Sequence, residues 1–240
     1  MLSYKRWSPE SLLRLFTHLF LAVGLVLVLG AAADKIWASA PEEARRFWVA
    51  FACGGSLQVA GLWLIGRCLR ENQMTWGEAF GLRRDGVAPA LVWGLLAAAG
   101  ALVLSWGLLT LSGWVFEAAG IEPKAQASIE ALRQTTDPWR RVMVAVTAVG
   151  LAPVFEEGLF RGVLYPAIKQ AGYPLAATWV TAFLFALTHL NLLTFLPLLV
   201  FALILSTLYE RTGHLLAPIT AHAAFNAANY VLVLVAGAPA

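Results

Sequence analysis

The sequence predicts an all-α membrane protein, a polytopic bundle of about seven (seven to eight) transmembrane helices. Three observations predict it. Hydrophobic residue types make up 60% of the 240 residues and charged types only 13%, with a mean hydropathy of +0.71. A soluble domain carries about twice that charged fraction, so this chain cannot cover a water-facing surface with polar groups. Apolar runs near the length needed to cross a bilayer, about 20 residues, recur from one end of the sequence to the other. The connections between them are short, with no tandem repeat and no low-complexity tract, which suits one integral membrane domain over 1–240.

The runs fall at 12–33, 47–68, 87–111, 139–168, 174–190, 192–210 and 214–236. The first follows Lys5 and Arg6 and resembles a signal peptide, but it is as long as a full span, so a retained first helix is expected. The stretch 1–111 therefore supplies N-terminal helices. Between the third and fourth runs lies the longest connection, 117–139, in which Ile129 and Leu132 suit a short amphipathic helix at the interface. The fourth run is unusual. Its apolar part, "WRRVMVAVTAVGLAPVF", leads straight into Glu156 and Glu157, and the helical pattern continues through "GLFRGVLYPAIKQ". It predicts either one long helix kinked at Pro153 or a short span followed by an interfacial helix. The fifth and sixth runs are almost continuous across "THLNLLTF", which requires a tight turn.

Net charge is +3 and the pI is near 9.1, ordinary values for a chain obeying the positive-inside rule. A modest excess of Lys and Arg places the N-terminus on the cytoplasmic side of a multi-pass protein of the cell membrane. No basic cluster interleaved with aromatics points to nucleic acid. Cys53 and Cys68 lie fifteen residues apart on one run, about 22 Å along a helix, which is beyond disulfide reach.

Ionisable and amide side chains inside the runs concentrate in the C-terminal half: Glu156, Glu157 and Arg161, then His189, then His222 with Asn226. His18 is the main exception. Charge within a membrane is expensive, so such groups are functional candidates by default. Glu157 and Arg161 stand at i, i+4 with the acid first, the favourable order for a helical ion pair, and their bland role is mutual neutralisation. That leaves Glu156, about 100° away around the helix. Adjacent carboxylates compete for ionisation, and a glutamate able to trade protons is what a general base requires. His189, four residues after Phe185, reads alone as a packing histidine bonded to a backbone carbonyl or as a helix-end residue. His222 and Asn226 share a helix face, and Asn229 extends it. They are either interhelical glue among small residues or a pair of donors for a developing oxyanion.

Taken in order, "EEGLFR", "FALTH" and "HAAFN" read E-E-x-x-x-R, F-x-x-x-H and H-x-x-x-N, each on a separate apolar run. In this order and spacing they resemble the CPBP family of intramembrane glutamic endopeptidases, the CAAX proteases and bacteriocin-processing enzymes also called the ABI family. The resemblance covers 139–236, the expected catalytic core, and "GEAFGLRR" (77–84) is similar to a segment that precedes that core. The resemblance implies that Glu156 activates water with the help of His189. It further implies that His222 and Asn226 stabilise the oxyanion and that Glu157 and Arg161 orient the site. It implies membrane-associated peptide or protein substrates, the lipid bilayer as the working environment, and no cofactor.

Other functions are compatible with the same residues. Glu156, His189 and His222 would supply three ligands to zinc, although no H-E-x-x-H is present. A proton-coupled transporter also uses intramembrane Glu and His, but no inverted repeat or pair of broken helices is visible. A non-catalytic membrane scaffold or immunity protein would need the fold but not the chemistry.

Overall fold

In a computed structural model of the protein, described for residues 7–122 and 127–236, the described residues form helices joined by short turns and contain no strand. The elements are α1 (Pro9–Ile36), α2 (Glu42–Glu71), α3 (Trp76–Phe80), α4 (Val87–Ala118), α5 (Ala127–Gln134), α6 (Pro138–Ala145), α7 (Ala152–Glu157), α8 (Tyr165–Gln170), α9 (Pro174–Thr188), α10 (Leu192–Thr212) and α11 (Leu216–Ala236). Six stretches are long and apolar enough to cross a membrane: α1, α2, α3–α4, α6–α8, α10 and α11. The seventh, α9, has only 15 residues, about 22 Å against roughly 30 Å of hydrocarbon.

The ambiguous fourth run is one continuous helical rod from Pro138 to Gln170. Two π-helical segments, Val146–Leu151 and Gly158–Leu164, interrupt it on either side of α7. Single π turns in an α-helix are frequent at functional sites, and α7 is the short stretch that carries both glutamates. The turn between α9 and α10 is as tight as the sequence requires. Leu190 adopts a left-handed conformation (φ 49°), and Asn191 caps α10 by accepting from Thr194 N.

The chain packs as two compact units. One is the α1–α2 hairpin. There Asn72 donates to Ser11 Oγ at 2.6 Å and to the Cys68 carbonyl at 2.8 Å; Cys53 and Cys68 are both free thiols. The other unit begins at Gly77. In it α4 packs against α10 and α11, α9 packs on α8 and α10, and α5 packs on α11 with Leu132 buried. Small residues on α4 (Ala90, Gly94, Ala98, Ala101, Ser105) form its buried stripe and let the backbones approach closely. At Gly94 a Cβ would lie 2.7 Å from the Ala217 carbonyl oxygen.

The burial pattern is that of a membrane protein. Phe20, Leu27, Val103 and Leu175 are exposed, while Arg161 is the largest side chain with essentially no exposed surface.

Candidate functional site

The site is built from α7, the π segment that follows it, and α9, α10 and α11. Glu157 ends α7 and Arg161 lies one turn on, in the second π segment. Their ion pair measures 2.9 Å and both side chains are 0% exposed. Arg161 Nη2 also donates to the Ala202 carbonyl at 2.9 Å, and the guanidinium stacks 4.7 Å from the Phe185 ring centroid. The pairing expected from the i, i+4 spacing is present, but Glu157 has a second partner. His222 Nδ1 lies 2.8 Å from Glu157 Oε1, the oxygen that receives Arg161. An ionised carboxylate can only accept, so Nδ1 carries the proton and donates.

That bond fixes the ring and presents Nε2 to Glu156. The Nε2–Oε2 separation is 4.0 Å, too long for a direct hydrogen bond and suited to a bridging water. Glu156 is 22% exposed at its side chain, whereas its neighbour is sealed. Adjacent glutamates thus occupy different environments. Glu156 Oε2, Glu157 Oε2 and Arg161 Nε are buried without a hydrogen-bond partner among the described residues. Phe185 and Phe201 enclose His222 edge-on, with ring centroids 5.6 Å and 5.5 Å away.

His189 caps α9, and its Nδ1 lies 2.8 Å from the Phe185 carbonyl. A carbonyl accepts, so Nδ1–H donates here too and Nε2 is left for other work. The ring stands 4.9 Å from Phe185, whose other neighbours include Arg161 and His222. Phe185 is therefore the hub that the motif spacing contained but that polarity did not single out. No group of three or more His, Cys, Asp or Glu positioned to hold a metal ion is found among the described residues.

Asn226 has a specific backbone partner: its Nδ2 donates to the Ala148 carbonyl at 2.8 Å. In the first π segment the bonding is i→i−5, with Ala152 N–H bonded to the Thr147 carbonyl. By that register the Ala148 carbonyl belongs to residue 153. Residue 153 is a proline and has no N–H to give. The Asn226 amide supplies the missing donor, and its second N–H is not needed for this task. Asn229, by contrast, donates to the Phe225 carbonyl at 2.9 Å and accepts from Trp106 Nε1 at 3.1 Å, so it fastens α11 to α4.

Comparison with curated proteins and with solved structures gives no match. Residues 138–228, which hold α6 to most of α11 and all the groups above except Asn229 and its partner Trp106, match the family model described as type II CAAX prenyl endopeptidase Rce1-like. Over that stretch this multi-pass membrane chain is similar to the Rce1-like family of CAAX-type endopeptidases.

Proposed function

We propose that the protein is an intramembrane endopeptidase that hydrolyses peptide bonds of membrane-associated substrates, CAAX-type tails or other processed peptides, with water activated by Glu156. The observation that carries this is the buried, unpartnered Glu156 Oε2, 4.0 Å from an imidazole nitrogen whose ring is locked from behind by Glu157. A water bridging Oε2 and Nε2 gives up its proton to Glu156, and the resulting hydroxide attacks the scissile carbonyl. His189 Nε2, freed by the Nδ1 bond, assists in orienting that water. His222 in its imidazolium form and the second Asn226 N–H donate to the oxyanion. Protonated Glu156 then passes its proton to the leaving amine.

In this scheme Glu157 and Arg161 orient the site rather than react, no metal takes part, and the N-terminus faces the cytoplasm. The test is reconstituted proteolysis of a membrane-tethered peptide library by wild type and Glu156→Gln. Loss of cleavage by at least about 10²-fold, the lower range for a general base, is expected. A Glu156→Gln protein cleaving at the normal rate would refute the assignment.

A further inference from the structure

The segment "GEAFGLRR" (77–84) lies outside the matched stretch, and nothing in the chemistry above uses it. Phe80 is buried, at 1% exposure, and its ring fills the place where Gly162 would carry a side chain. A Cβ at Gly162 would lie 2.5 Å from Phe80 Cε1 and 2.9 Å from Cδ1. Gly162 is the residue after Arg161, in the π segment that follows Glu157. The ring therefore rests directly on the backbone turn that bears the arginine.

The same segment grips the start of α11. The Phe80 carbonyl accepts from Leu215 N–H at 2.9 Å. His214 is buried; its Nδ1 accepts from Leu216 N–H at 3.2 Å, so Nε2 bears the proton and donates to the Arg83 carbonyl at 3.2 Å. Gly81 makes the approach possible. Its φ is +66°, and a Cβ there would lie 1.9 Å from the Gly213 carbonyl oxygen, so no side chain is tolerated on either count. Phe80, Gly81 and Arg83 thus hold the turn carrying Arg161 on one side and the start of the His222 helix on the other.

We infer that Phe80 is a positioning residue: with the 80–83 segment it sets the register of the Glu156–Glu157–Arg161 turn against the His222 helix, and so the 4.0 Å gap between Glu156 and His222. Its role in rate rests on the hydrolytic function proposed above. A misplacement of about 1 Å at a catalytic constellation costs on the order of 10²-fold in rate. Phe80→Ala removes the wedge and Gly162→Ala collides with it, so each is expected to lower kcat by roughly that factor while KM changes little. The double variant Phe80→Leu with Gly162→Ala trades ring volume for the new methyl and is expected to recover most of the rate.

A second readout does not depend on proteolysis. In the full-length protein labelled at the ring nitrogens of its four histidines, the His222 Nδ1 signal reports its bond to Glu157. It is expected to shift in each single variant and return in the double one, with His18 unchanged throughout. Single variants with wild-type kcat and an unmoved His222 signal would overturn the inference, as would a double variant no better than Gly162→Ala. Should wild type cleave no peptide, a His222 signal that shifts and returns in this way supports the brace while removing the protease. An unmoved signal overturns the brace.

Discussion

Replacing Glu157 by glutamine separates what holds this site together from what works in it. The carboxylate receives two charge-assisted bonds, 2.9 Å from Arg161 and 2.8 Å from His222. Such bonds contribute about 1.5–3 kcal/mol each, against about 0.5–1.5 for neutral ones. An isosteric amide therefore loses about 1–1.5 kcal/mol at each, or about 2–3 kcal/mol together. It also leaves Arg161, with no exposed surface, as a buried cation without its counter-charge, which brings the total toward the 3–5 kcal/mol typical of a broken buried pair. For a chain of this length, 3 kcal/mol corresponds to a fall in Tm of roughly 6–12 °C.

The informative partner is the double variant Glu157→Leu with Arg161→Met, in which neither charge remains. Buried ion pairs replaced by apolar groups of similar size are often neutral or stabilising, so thermal unfolding in detergent is expected to return close to wild type. Proteolysis is not, because His222 has lost the group that holds Nδ1 and aims Nε2. Equal Tm for Glu157→Gln and wild type would refute the buried-pair account. Full activity in the stable double variant would refute the orienting role of Glu157.

Asn226→Ala is expected to cost about 1–3 kcal/mol by stranding the Ala148 carbonyl, measured by thermal unfolding. Adding Pro153→Ala, which restores a backbone N–H at that register, should recover the stability but not the cleavage rate. His189→Ala, at a half-buried helix end, should lower cleavage while moving stability by less than about 0.5 kcal/mol; an equal loss of both would make it a packing residue. Gly94→Val should destabilise the α4–α11 contact by about 1–3 kcal/mol, because the nearest atom is a backbone carbonyl oxygen that cannot rotate away. Chelators should leave cleavage unchanged and elemental analysis should find no stoichiometric zinc. Loss of activity reversed by added zinc would replace the glutamate mechanism with a metal one.

The helices and the polar cluster were legible because the membrane makes both conspicuous. Spanning runs announce themselves by length, and Glu156, Glu157, Arg161, His222 and Asn226 stand out against them. Spacing also tells the two glutamates apart, since only Glu157 has a cation at i+4. What spacing could not show is that Glu157 is shared with His222, because that contact spans 65 residues and depends on how two helices rotate. Pro153 signalled a kink, but not that the rod would resolve it with a π turn. Phe80 was invisible for a different reason: it is one of thirteen phenylalanines, and its importance comes from a glycine 82 residues away.

Backbone irregularity and polar chemistry are coupled at this site. Three of the polar side chains brought together here are tied to main-chain carbonyls: Asn226 to Ala148, Arg161 to Ala202, His189 to Phe185. In an apolar interior those carbonyls are among the few acceptors available, and each bond leaves another face of the side chain to act. Pro153 makes the link explicit, since its missing N–H creates the acceptor that Asn226 fills. A regular α-helix through residues 146–164 would pair the Ala148 carbonyl with Ala152 N–H and strand the Val149 carbonyl opposite Pro153 instead, leaving Asn226 without this anchor. The π segments are therefore part of how an otherwise apolar bundle holds several polar groups in one orientation.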